Sequence, residues 1–294
     1  MLFGGAGIAA WKGYAPDSVG WLMPVIVAAV LLLTFGLERH LPYATRWNTG
    51  PGTGTDLVYL GTTSVVVAIA EAAVWAVVIV LLGQWAANGV ALWPTQWPFA
   101  PQVFLALAVG DFFPYLYHRA SHESNGFLWR THAIHHAPER LYSFNFSRFH
   151  PINAFLTAAL TLVPLAVLGA PPQVLFVAGV LHNVHGVLSH ANVDFRLGVL
   201  NTIFSMAELH RWHHARDPDL ANSNYGATLL LWDWVFGTRR HPKTRLDADG
   251  VGLWFGSTVP RRLLDQWKYP FVGVLRQITH RVRTVLTLRC CRTH

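Results

Sequence analysis

The sequence predicts an all-α integral membrane protein, with about four to five transmembrane helices and a cytoplasmic histidine-rich helical cap. Three observations carry that expectation. Apolar residues make up 52% of the 294-residue chain and charged residues only 13%, and the mean hydropathy is +0.32, so charges are too few to cover a soluble surface of this size. Long uncharged runs recur at the length a helix needs to cross a bilayer. Histidines are concentrated, twelve of sixteen lying between His118 and His214.

Val19 to Leu37 is an uncharged apolar run, and a second extends from Leu57 to near Leu82 with Glu71 as its single charge. Each approaches the roughly 20 residues of a spanning helix. No charged residue occurs from Ala72 to Gly110, so the second span, a Trp/Pro-rich loop and the start of a third span form one neutral stretch. The uncharged run from Phe149 to Val193 is broken by Gly169, Ala170, Pro171 and Pro172, which predicts a membrane hairpin at 152–190. Apolar length alone fits either a full crossing or a dip into one leaflet. Lys and Arg gather after span one (Arg39, Arg46), before the hairpin (Arg119, Arg130, Arg140, Arg148) and after it. The positive-inside rule makes these segments cytoplasmic, with the N-terminus outside and the C-terminus inside. The first apolar run has no basic stretch before it, which argues against a cleaved signal peptide.

One membrane domain is expected throughout: N-terminal spans over 1–109, a histidine-rich core over 110–245 and a basic tail over 246–294. The tail explains the formal charge of +7, since eight Lys or Arg and one acid lie between Arg261 and Arg292. A basic segment beside apolar spans fits anionic lipid headgroups rather than nucleic acid. Phe271, Leu275, Ile278, Val282, Val285 and Leu286 recur there at helical spacing, as expected of an interfacial helix or a solvated basic tail. The only cysteines, Cys290 and Cys291, are adjacent and build no disulfide framework.

Spacing distinguishes these histidines from isolated ones. His118 and His122 are i and i+4, so they stack on one face of a helix continuing from the third span. His132, His135 and His136 stand at i, i+3 and i+4, as do His210, His213 and His214, so three imidazoles are expected on one face twice over. A purely structural cluster of eight would repel itself when protonated and be costly to bury. Neutral imidazole is instead a ligand suited to Fe, Zn, Cu and Ni. Eight ligands exceed one metal and fit two metals of four or five each. His190 at the hairpin's end supplies a ninth, and His185 a possible tenth whose i to i+5 offset needs a local bulge. A zincin needs a glutamate base in HExxH, and a ferritin-like site needs ExxH pairs; neither pattern occurs.

The run from Asp111 to His136, DFFPYLYHRASHESNGFLWRTHAIHH, resembles the first two histidine boxes of the fatty acid hydroxylase and sterol desaturase superfamily. The run HRWHHARD, followed by NSNYG and WDWVFGT, is similar to its third box and trailing signature. The resemblance covers roughly Gly110 to Thr238. It implies a membrane oxygenase with two iron ions, using O2 and external electrons to hydroxylate or desaturate a sterol, fatty acyl, alkylglycerol or carotenoid lipid. It also implies His118, His122, His132, His135, His136, His210, His213 and His214 as ligands, with His190 resembling the lone histidine that precedes the third box. Some relatives carry an HxxxH pair there, whereas this chain has Gly186 four residues before His190.

Asp111, Asn145, Arg148, His150, Asn224, Tyr225 and Asp233 are candidates either to orient ligands or to fix loops. No G-x-G-x-x-G fingerprint follows a strand, so reducing equivalents are expected from a separate ferredoxin or cytochrome b5 type donor with its reductase. Two alternatives use the same histidines: a membrane metal-binding or metal-transport protein, and a zinc hydrolase.

Overall fold

The computed structural model describes residues 21–87, 92–124, 126–254 and 257–272. Among them the regular elements are helices: α1 (Leu22–His40), α2 (Thr53–Ala87), α3 (Phe99–Glu123), α4 (Phe127–His136), α5 (Pro151–Val167), α6 (Pro172–Ser189) and α7 (Ala207–His213), with short turns α8 (Pro218–Ala221) and α9 (Leu231–Val235). Strand pairing is confined to isolated bridges such as Phe204 with Leu229.

Three described helices are long and apolar enough to cross a membrane, over Leu22–His40, Thr53–Val77 and Phe99–Glu123. Their outer faces carry exposed apolar side chains such as Leu33 and Val65, the reverse of a water-facing helix and suited to lipid contact. The helices α5 and α6, 17 and 18 residues long, form a helical hairpin over the stretch expected to be one, each opened by proline at its first turn, where no backbone N–H is needed. Gly169, at φ 76, supplies the left-handed turn between them. The helix α2 packs along α5, α3 against both hairpin helices, and α1 along α6. In the basic tail a helix covers 263–272; the rest of the apolar pattern expected there lies outside the described residues.

Two buried carboxylates tie the spans to the histidine-bearing segments. Glu38, at the end of α1, accepts the N–H groups of Ser143 (2.6 Å) and Asn192 (3.1 Å). Asp56, in the first turn of α2, pairs with Arg148 at 2.7 Å and accepts the Tyr142 hydroxyl at 2.6 Å. Arg148 in turn donates from Nε to the Ile134 carbonyl inside α4. The second box is thus anchored to a membrane helix through one guanidinium.

Candidate metal centre

Nine imidazoles converge from four helices. His118 and His122 come from the last turns of α3, His132, His135 and His136 from α4, His190 from the end of α6, and His210, His213 and His214 from α7 and its C-cap. They form two groups, in each of which one ligand nitrogen per residue lies within 4.8 Å of all the others. His118, His122, His132, His136 and His213 make one group; His135, His190, His210 and His214 make the other. The His136 and His214 rings stack at 4.2 Å, so the groups adjoin.

Each three-histidine box is therefore divided, where the spacing alone suggested a shared face. At about 100° per residue, i and i+4 differ by about 40°, whereas i+3 and i+4 differ by about 100°. His132 and His136 stay together while His135 turns to the second group; His210 and His214 stay together while His213 turns to the first.

The nitrogens are spaced as ligands of shared cations are. Nε2 of His136 lies 3.1 Å from that of His122 and 3.0 Å from that of His132. In the second group Nε2 of His190 lies 3.2 Å from that of His135 and 3.1 Å from that of His210. Two nitrogens bound at right angles to one ion through bonds of about 2.1 Å lie about 3.0 Å apart.

Proton placement supports the same fit. Nδ1–H of His118 donates to the Tyr225 carbonyl (2.8 Å), that of His132 to Asn153 Oδ1 (2.9 Å), that of His190 to the Gly186 carbonyl (2.9 Å) and that of His213 to the Ser223 carbonyl (2.8 Å). Carbonyl oxygens have no proton to give, so the hydrogen sits on Nδ1 and a lone pair is left on Nε2. Those of His118 and His213 are buried without a hydrogen-bond partner. Inward lone pairs in a buried space are unfavourable alone and satisfied by a cation.

Burial, followed by repulsion from neighbouring imidazoles, holds His135, His136, His210 and His214 far below the ordinary 6.5, the form in which imidazole ligates. The stability consequence has a definite sign. An unfolded chain takes up these protons near pH 6.5 and the folded chain only well below it, so acid favours unfolding in that window. Metal-free protein is expected to keep its full stability above about pH 6.5 and to lose it progressively below. Melting curves of chelator-treated protein across that range check this; an unchanged midpoint would contradict it.

His185 stands apart from both groups: its Nε2 faces the Ser205 carbonyl at 3.0 Å. Among the described residues Asp111 pairs with no arginine; its Oδ2 accepts the N–H groups of Thr228 (3.1 Å) and Leu229 (3.0 Å). Among the other polar candidates, Tyr225 meets the His118 imidazole through its carbonyl. Asp233 instead fixes that loop by accepting from Tyr225 and Gly226 N–H, Asn224 bonds the backbone of Arg240, and His150 caps α5. Asn145 and Arg148 belong to the Asp56 network.

Asn153 is a contact that sequence reading missed, because it lies 21 positions from His132 on another helix. Asn153→Ala is expected to lower metal affinity by about 10–100-fold, the usual cost of losing an outer partner of a ligating histidine. Competitive chelator titration measures it, and wild-type affinity would remove Asn153 from this role.

A cavity beside the imidazoles is lined by residues of both groups, His118 and His132 from one and His135, His190 and His210 from the other. Its remaining walls come from α3, α5 and α6, including Pro114, Thr157 and Gly186, from Phe146 and Phe149, and from Tyr225, Gly226 and Ala227. On the other flank Trp129 and Trp254 stack at 3.8 Å, with Trp129 5.4 Å from His122, closing that side to solvent.

Residues 103–238 match the fatty acid hydroxylase family model. Over 255 residues the chain is 36% identical to the ornithine lipid hydroxylase OlsE of Rhizobium tropici, covering 85% of this chain and 76% of that protein. The chain belongs to the fatty acid hydroxylase family. Within that family it is also similar to alkylglycerol monooxygenases: 31% identity over 147 residues for the Caenorhabditis elegans protein, covering 50% of this chain and 28% of that one. The human protein shows 29% identity over 179 residues, covering 61% and 37%. The chain thus spans most of the ornithine lipid hydroxylase and about a third of the two alkylglycerol monooxygenases. No solved structure matches it.

Proposed function

We propose that this fatty acid hydroxylase family member is a membrane lipid oxygenase that hydroxylates or desaturates its substrate, with two iron ions held by the nine histidines. One observation carries the reading: a cavity walled by membrane helices is bounded by imidazoles of both groups. The first group would hold one ion through five side chains and the second the other through four. Iron so held supplies O2 activation, using electrons from a separate ferredoxin or cytochrome b5 type carrier.

The chain's own residues supply position and protection. The cavity walls hold a lipid chain beside the imidazoles, and such positioning supplies much of the selectivity among similar C–H bonds. The carbonyls of Tyr225, Gly186 and Ser223 keep Nδ1 protonated and Nε2 directed inward. The Trp129–Trp254 stack keeps bulk water from the first group. Arginines near the boxes support a cytoplasmic orientation of this face in a multi-pass protein, with the C-terminus on the same side.

The similarity to an ornithine lipid hydroxylase and to alkylglycerol monooxygenases favours a polar-headed lipid as substrate over a sterol or carotenoid. Lipid mass spectrometry of membranes with and without the expressed chain tests this. A gain of one oxygen or a loss of two hydrogens is expected in one lipid class, together with two irons per chain. Metal flux in proteoliposomes without lipid oxidation would overturn it in favour of transport, and zinc with hydrolysis products would overturn it in favour of a hydrolase.

A further inference from the structure

The segments flanking the third box do not stay at the histidine end of the helices. Trp232 donates from its indole to the Ala108 carbonyl at 2.8 Å, and its ring lies 4.5 Å from that of Phe112. Ala108 lies fifteen residues before the end of α3, about 22 Å along the helix axis. On the other side, His182 meets the Thr228 hydroxyl at 2.8 Å, eight residues or about 12 Å before His190. Leu229 is buried in the same apolar cluster as Val103, Leu107 and Val174.

The composition of these segments suits that depth. From Leu197 to Ala207 there is no charged residue, and from Gly226 to Thr238 the only one is Asp233, which is fully buried. Their backbone is largely irregular, yet its polar groups are paired internally. Ser205 N–H donates to the Thr228 carbonyl and Leu230 N–H to that of Ile203, while Asp111 takes the N–H groups of Thr228 and Leu229. Non-helical backbone at membrane depth is tolerated only when so satisfied. Even the half-exposed Trp234 has its indole N–H bonded, to the Thr202 carbonyl.

The outward face is apolar: Val199, Ile203, Leu231, Trp234, Val235 and Phe236 are all exposed, Val199 to 76% and Val235 to 60%. It adjoins α3 at Phe112, and that helix exposes further apolar side chains, Phe104 and Phe113, to its surroundings. A patch of this kind on a soluble cap would be an aggregation liability. We infer that Val199–Phe204 and Gly226–Phe236 form a re-entrant wedge, inserted between α3 and α6, whose outer face contacts the hydrocarbon of the bilayer. Its inner face, through Tyr225, Gly226 and Ala227, walls the cavity beside the imidazoles. A single layer of chain therefore separates that cavity from lipid.

Depth can be read without any assay of lipid oxidation, so this inference and the oxygenase reading fail separately. The full chain, with Cys290→Ser and Cys291→Ser, is labelled with bimane at Val235→Cys or Val199→Cys and placed in phosphatidylcholine vesicles. Val65→Cys on the outer face of α2 and Lys243→Cys serve as references. Both wedge positions should be quenched by acyl-brominated phosphatidylcholine as Val65 is, with loss of the iodide quenching seen at Lys243. Iodide quenching equal to that at Lys243 overturns the inference, as does shielding from both quenchers, the sign of a second copy or another protein on this face. Should a labelled variant fail to fold, the unaltered chain is crosslinked with a diazirine-acyl phosphatidylcholine. Adducts within 231–236 are expected, and their absence beside adducts on α2 overturns the wedge.

Discussion

Replacing His190 with alanine is expected to lower the metal content from two ions per chain to one and to abolish lipid oxidation. His190 is the only member of the four-histidine group that comes from the hairpin, and its Nε2 approaches those of both His135 and His210. Three imidazoles remain, two of them from the short α7. The loss of activity should exceed the roughly 10–100-fold that follows from removing an outer-shell partner. His185→Ala is the matched control: it removes a contact with the Ser205 carbonyl, worth about 1 kcal/mol of stability, and should leave both ions in place. Metal analysis of the two purified variants decides the matter; two tightly held ions in His190→Ala would exclude it from the ligand set.

The second large effect concerns stability. Arg148→Met leaves Asp56 buried without its cation, in contact only with the Tyr142 hydroxyl and the Asn145 amide. Breaking one side of a buried ion pair costs about 3–5 kcal/mol, because the abandoned charge keeps its desolvation penalty. The same substitution removes the donor to the Ile134 carbonyl, so α4 should loosen and metal affinity should fall alongside the midpoint of unfolding. Adding Asp56→Asn removes the stranded charge, and the double variant should recover part of the lost stability. Equal midpoints for the single variant and wild type would show that the pair contributes little.

The long apolar helices were legible because uncharged length is a one-dimensional property, and the runs around Leu22–His40 and Phe99–Glu123 announce themselves without any tertiary information. The histidine pairs at i and i+4 were legible for the same reason. The division of each box between two groups was implicit in helical angles, but it becomes visible only once α4 and α7 face each other. Asn153 and the Tyr225 carbonyl could not be found, since a partner for Nδ1 depends on which loop passes behind the ring. Asp111 was visible as an intramembrane acid, yet its partners were not: it satisfies backbone N–H groups more than a hundred residues away. The depth of the segment around Trp232 was equally hidden, because its apolar runs are too short to register as spans.

The grouping of the nine imidazoles also fixes an order of events in biogenesis. The five-membered set needs His213, and the four-membered set needs His210 and His214, in addition to side chains placed much earlier in the chain. Neither set is complete until the last of these residues has left the ribosome and docked against helices already inserted. On the proposed two-ion reading, completion of both sites is therefore a late step that seals an assembled scaffold, and a nascent chain arrested after the hairpin would present four imidazoles of the first set but only two of the second.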